Sequence, residues 1–238
     1  MVLKYRNFIL ASMPSNEAAR ATPLMRRVRL ERSAILFDAG SRIEDIYFPE
    51  TCVVSLIVGL PDGRAIEAAT VGHEGAAGVG GVLAREFSFT RQIIQIAGLA
   101  HVATRKNFLQ MHDDCPSLDN RLAAYRDAFA AQILQSTACN ASHSAAERFA
   151  RWLLEMLTRS SSPDLLMTHD AMALLIGTSR PTLTLLVRDF EAAGLVRSRR
   201  GGLTILDESG LRETACPCFE LVREVYRRAG LLPRQKKT

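Results

Sequence analysis

With 238 residues, a net charge of +5 and 47% hydrophobic residues, the chain has an ordinary globular composition and a length that suits two domains. No apolar run approaches the ~20 residues needed to cross a bilayer, which excludes a helical membrane protein, and nothing after Met1 resembles a secretory signal, so a cytoplasmic protein is expected. The five cysteines, an odd number at irregular spacing, exclude a disulfide framework and are expected to be reduced, most of them as packing residues.

From Val28 to about Ala103 short apolar runs alternate with turn residues, the rhythm of an all-β unit. The runs are Ala34 to Phe37, Ile46 to Phe48, Cys52 to Leu60, Ile66 to Val71, Gln92 to Ile96 and Leu99 to Ala103. Pro61-Asp62-Gly63 predicts a hairpin, because proline presets φ and glycine accepts the left-handed region, and Gly72-His73-Glu74-Gly75 predicts an exposed turn. A sandwich or jelly roll follows.

At Pro116 the period changes. Leu118, Leu122, Tyr125, Phe129 and Ile133 fall on one face of a long helix. A strict heptad would place Gln132 on that face in place of Ile133. The spacing suits a helix pairing with its copy across a two-fold axis, and equally a helix packed on its own β domain. A second helix, from about Ser144 to Thr158, carries Phe149, Trp152, Leu153 and Met156 on its apolar face and ends at the serine run before Pro163. The expected divisions are a β-roll domain over 1–115, a dimerisation helix over 116–141 and a third unit over 142–238.

From Thr168 the chain predicts two short helices joined at Gly177. Thr168 caps the first, Gly177 supplies a left-handed residue at its end, Thr178 or Ser179 caps the second, and Pro181 falls in a first turn where a missing N–H costs nothing. Met172, Ala173, Ile176, Leu183 and Leu186 are spaced as a shared core. Phe190 to Val196 is expected to finish the second helix. Then comes Arg197-Ser198-Arg199-Arg200-Gly201-Gly202 before an apolar run, which predicts a basic hairpin. A helix-turn-helix followed by a basic hairpin is a winged DNA-binding module. The charge agrees with this: Thr168 to Thr238 holds 12 Lys+Arg against 8 Asp+Glu, while the preceding residues hold 18 against 17. The DNA-facing candidates are Thr168, His169, Ser179, Arg180, Thr182, Thr184, Arg188, Arg199 and Arg200.

These features resemble the Crp/Fnr superfamily of bacterial transcription regulators. The likeness rests on Gly177, Ser179-Arg180, Thr182 and Gly202 to Asp207 in one half, and on Phe48 to Leu56 and Gly72 to Gly75 in the other. It implies an α+β chain: an N-terminal cyclic-nucleotide-binding-like β-roll (jelly roll), a long dimerisation helix, and a C-terminal winged helix-turn-helix that binds a two-fold symmetric operator. The implied partners are double-stranded DNA, a second copy of the chain, RNA polymerase and a small-molecule effector, with no membrane. Ser179 and Thr182 match phosphate-contacting positions and Arg180 a base-reading one, where its fork can meet guanine O6 and N7. Pro181 and Leu185 stand where relatives carry a glutamate and a second arginine, so the operator is expected to differ from the family's usual one.

The resemblance also supplies effector candidates. Gly78-Val79-Gly80-Gly81 matches the turn that holds a cyclic nucleotide's ribose, with Val79 in place of the glutamate, and Arg91 matches the phosphate-binding arginine. A ribose hydroxyl without its acceptor loses affinity, so cyclic AMP is not the expected ligand. The alternative is a shifted cassette in which Glu74 serves as the acid. Iron-sulfur relatives need thiolates near the N-terminus, whereas the first cysteine here is Cys52. No metal, cofactor or catalytic residue is expected: the histidines, His73, His101, His112, His143 and His169, lack metal spacing, and Cys216-Pro217-Cys218, whose alternative to packing is metal binding or oxidant sensing, lacks a second pair; the alternative to a plain turn at His73 and Glu74 is ligand sensing. Against an enzyme of the cupin type stands a β region with only His73 and His101 as imidazoles. A protein-binding winged helix is the remaining alternative to DNA binding.

Overall fold

The computed structural model describes residues 5–61, 65–82, 86–160 and 162–233. Two short helices open it, α1 (Phe8–Ala11) and α2 (Ser15–Ala21). Asn7 caps α1 by accepting from the amides of Ile9 and Leu10, and its amide nitrogen donates to the carbonyls of Pro49 and Gly75. The strands that follow are β1 (Arg26–Leu30), β2 (Ile35–Phe37), β3 (Asp45–Pro49), β4 (Val53–Gly59) and β5 (Ala65–Val71). A one-turn helix α3 (Val79–Val82) precedes β6 (Arg91–Ile96) and β7 (Gly98–Thr104).

The strands form two antiparallel sheets, ordered β1-β7-β3 and β2-β6-β4-β5, the two faces of the expected jelly roll. Each predicted run coincides with a strand to within a residue or so. β4 and β5 pair antiparallel from Val54 opposite Val71 to Gly59 opposite Ala65, as a hairpin requires; Asp62 and Gly63 of its predicted turn lie outside the described residues. The sequence did not announce β1, whose Arg26-Arg27-Val28-Arg29-Leu30 alternates basic and apolar at the sheet edge.

Next come α4 (Arg105–Asp114), the long helix α5 (Pro116–Ser142) and α6 (Ala145–Ser160). Pro116 occupies the first turn of α5, and Ser144 with Glu147 makes a reciprocal capping box at the start of α6. The inward positions of α5 follow the strict heptad: Leu118, Tyr125, Gln132 and Cys139, seven apart, are all at most 3% exposed. The dimer-seam expectation is corrected here at three of its five residues, Leu118, Leu122 and Tyr125. Leu118, Leu122 and Tyr125 fill the chain's own core beside Phe48, Ile94 and Phe108, and Phe129 packs against it half-buried, while Ile133 faces outward. A face occupied by its own sheet is closed to a second copy.

The C-terminal part contains β8 (Asp164–Leu165), α7 (His169–Leu175), α8 (Arg180–Ala192), β9 (Val196–Arg199), β10 (Gly202–Ile205), α9 (Glu208–Thr214) and α10 (Cys218–Arg228). Phe149, Trp152, Leu153 and Met156 of α6 are fully buried with Met172, Ile176 and Leu183, and Leu186 packs against them. Gly194, at φ +72°, stops α8 two residues after Ala192, so Val196 starts a strand and does not finish the helix.

The two large cores exchange residues. Val53 of β4 lies in the core of α6 to α9, and Tyr226 and Leu231 from the C-terminal end lie in the core of the β-roll.

Candidate nucleic-acid interface and sensor cavity

Local chemistry sets the helix-turn-helix. The Thr168 side chain accepts from the Ala171 amide and starts α7; Gly177 at φ +64° turns the chain; Ser179 accepts from the Thr182 amide at 3.2 Å and starts α8. Ser179 and Thr182 hydroxyls lie 2.8 Å apart on the exposed first turn. Arg180 extends beside them and pairs with Asp170 at 3.3 Å, both side chains being mostly exposed. A surface pair of this kind is worth under about 1 kcal/mol, so Arg180 can exchange it for a base edge or a phosphate. Thr184 donates to the Arg180 carbonyl and meets His169 Nδ1 at 3.2 Å, which ties α7 to α8. Arg188 is exposed one turn further on, and Leu185, also exposed, presents an apolar surface on the same helix.

The wing is β9 and β10, with β8 completing its sheet. Gly201 at φ +78° makes the turn. Gly202 sits so close to the Leu165 carbonyl that no side chain fits there. Arg197, Arg199 and Arg200 lie on the exposed strand and turn; Arg199 is partly held by Asp164 at 3.2 Å, which also accepts from Thr204. The exposed groups of this module therefore include a helix N-terminus with two hydroxyls on α8 and three arginines on the wing. Such a set suits phosphate oxygens and base edges.

The β-roll encloses an apolar cavity of about 310 Å³ between α3, β6 and α5. Gly78 and Val79 line it, with Ile43, Leu56, Phe89 and Phe129 among the apolar walls; Arg126 of α5 is the one charged lining residue among the described residues. Gly78 sits at φ +93° with the Asp45 carbonyl 3.0 Å from where a Cβ would be, so the turn needs glycine.

The other two effector candidates lie elsewhere. Arg91 points to the outer face of its strand and pairs with Asp38 at 3.1 Å, because the inward position belongs to Gln92. Glu74 is 3% exposed and bound to Arg159, so neither the phosphate role of Arg91 nor the shifted cassette through Glu74 is available in this arrangement. The turn Gly72 to Gly75 is mostly buried, contrary to the expected exposed loop: Phe8 donates to the His73 carbonyl, and Gly75 lies against the Tyr125 ring.

Glu74 belongs to a buried polar junction that sequence reasoning missed. Arg159, at the end of α6, donates from Nε to Glu74 at 2.7 Å, and from its other nitrogens to Thr70 at 2.6 Å, Glu155 at 3.2 Å and Gln132 at 3.2 Å. Gln132 in turn donates to the Thr70 carbonyl and accepts from the Tyr226 hydroxyl at 2.9 Å. Burial pushes the Glu74 carboxyl up, but the Arg159 charge outweighs it and holds the group below the usual carboxylate range. The β-roll, α5, α6 and α10 thus meet at one guanidinium. The only sequence sign was Gln132, a polar residue at a strict heptad position.

Residues 147–214 match the model of the Crp-like helix-turn-helix domain. Among solved structures, the chain is similar to the c-di-GMP responsive global regulator CLP of Xanthomonas campestris, with a TM-score of 0.65 and 15% identity over 82% of this chain and 100% of that one. It is also similar to FixK2 from Bradyrhizobium japonicum (TM-score 0.64, 14% identity, 81% of this chain and 98% of that one). A third such structure is a putative transcriptional regulator of the Crp/Fnr family from Eubacterium rectale (0.62, 15%, 85% and 94%). No curated protein matches the chain. The stretch from 147 to 214 is thus a Crp-like helix-turn-helix domain. Over most of its length the chain shares the fold of these three solved structures.

Proposed function

We propose that the chain is a transcription regulator that binds a two-fold symmetric DNA operator as a homodimer, α8 entering the major groove and the wing lying on the backbone. The observation that carries this is the capped, solvent-exposed first turn of α8, with Ser179, Arg180 and Thr182, in a module that also carries an exposed arginine-bearing wing. Arg180 reads a base; Ser179, Thr182, Arg199 and Arg200 hold phosphates, with Thr168, His169, Thr184 and Arg188 at the margin. Binding measured by anisotropy on a site selected from random duplexes tests the assignment. Arg180→Ala is expected to cost about 1–3 kcal/mol on the selected site and to relax preference at one base pair, while Arg199→Ala weakens all duplexes alike and flattens the salt slope. Equal losses of Arg180→Ala on selected and random DNA would remove the base-reading role.

The two-fold contact proposed is the outward face of α5, where Ala130, Leu134, Thr137 and Ala141 repeat at steps of four, three and four and Leu134 is 72% exposed. Light scattering on the same samples is expected to give twice 26.2 kDa, falling to a monomer in Leu134→Asp; a wild-type monomer would reject the dimer.

The effector is a small molecule seated in the apolar cavity and not cyclic AMP. No carboxylate lines that cavity among the described residues, so a ribose hydroxyl entering it meets no acidic partner. Micromolar binding of cyclic AMP in a calorimeter would contradict this.

A further inference from the structure

Four potential metal donors that the sequence scatters over 80 positions come together behind the DNA-binding module. Cys139 lies in the last turn of α5, and His143, four residues on, is the extended residue that follows the helix. Cys216 and Cys218 flank Pro217 at the start of α10. The donor atoms of all four lie within 4.8 Å of one another. Cys139 Sγ is 3.5 Å from Cys216 Sγ, and Cys218 Sγ is 3.6 Å from His143 Nδ1. The three thiols form a buried cluster of their own, separate from the two large cores. They are not fillers of an apolar interior.

We propose that Cys139, His143, Cys216 and Cys218 bind one zinc-class divalent ion. With Zn–S near 2.3 Å and Zn–N near 2.0–2.1 Å, a tetrahedral site has donor–donor edges of about 3.5–3.8 Å, which is the separation of the two pairs above. Three sulfurs and one imidazole form one of the usual donor sets of structural zinc. Donors this close enclose a single ion and leave no room for a multi-iron cluster. The surroundings suit a thiolate-bound cation. Gln135 Nε2 donates to Cys218 Sγ at 3.0 Å, and Arg151, ion-paired with Glu155, stands close enough for its charge to act on Cys139 and Cys216 as well. On binding, the three thiols release their protons to solvent and the neutral imidazole donates its Nδ1 lone pair, with no change of oxidation state.

The placement defines the consequence. His143 and Ser144 form the joint between the long helix and α6, and the ion would fasten that joint to the start of α10. Metal binding is read without DNA, so it stands or falls independently of the proposed operator binding.

The test is titration of the reduced, metal-free full-length chain with Co²⁺. One equivalent is expected to produce sulfur-to-cobalt charge transfer and the visible bands of a tetrahedral ion, and Zn²⁺ should displace it. His143→Ala, at a half-buried position, and Cys218→Ser should each weaken binding at least about tenfold, whereas Cys52→Ser and Cys115→Ser should leave it unchanged. Absence of a tetrahedral spectrum, or binding unaffected in both His143→Ala and Cys218→Ser, overturns the proposal. So does a Cys139–Cys216 disulfide in the freshly prepared chain, shown by three free thiols in place of five.

Discussion

Arg159→Ala is expected to lower the free energy of unfolding by about 3–5 kcal/mol, because it leaves Glu74 ionised, buried and without its counter-charge. Four acceptors, on β5 and the turn after it, on α5 and on α6 itself, lose this donor at once. Urea denaturation followed by circular dichroism measures the loss; a change below about 1 kcal/mol would mean that the junction is not formed in solution. The double variant Arg159→Ala with Glu74→Gln should recover part of it, since removing both charges of a buried pair is much less costly than removing one. The pH dependence has a defined sign. Glu74 titrates below the ordinary carboxylate value in the folded chain, so its contribution is present above that value and is lost as pH falls through the depressed one. In Arg159→Ala that acid-labile contribution should be absent.

Trp152→Ala should be comparably severe, about 3–5 kcal/mol, by opening a cavity in the core on which α7 and α8 rest. Trp152 is 1% exposed and stacks on Phe149, which in turn contacts Phe190 of α8. Loss of operator binding is expected with the loss of stability, although the side chain is remote from the exposed arginines. Because the chain has one tryptophan, its fluorescence in the wild type reports directly on this core. A variant that bound DNA with unchanged affinity and stability would show that α8 does not depend on this packing.

The legible parts of the molecule were those encoded by local chemistry. Turn residues bounded the strands, the cap at Thr168 with Gly177 marked the helix pair, and Gly201-Gly202 marked the wing; each acts within a few residues of itself. The direction of the long helix was less accessible. Periodicity shows that Leu118, Leu122 and Tyr125 share a face but not what covers it, and the β-roll covers it here. Arg91 and Glu74 had been paired with a ligand by position along the chain, but strand alternation turns one outward and Arg159, 85 residues away, claims the other. Half of the cysteine and histidine cluster was visible as Cys216-Pro217-Cys218, but its missing second pair, Cys139 and His143, lies more than 70 residues away.

The exchange of residues between the two cores bears on how the molecule comes apart. Val53 belongs to the β-roll by sequence but completes the interior beneath α7 and α8, while Tyr226 and Leu231, from the far end of the chain, complete the interior of the β-roll. Neither half can melt without exposing an apolar surface that the other was covering. The DNA-reading end and the cavity end therefore share a single thermodynamic fate. If the proposed effector fills the cavity, the free energy of its binding is expected to raise the resistance of α8 to unfolding as well, with no chain of moving parts between them.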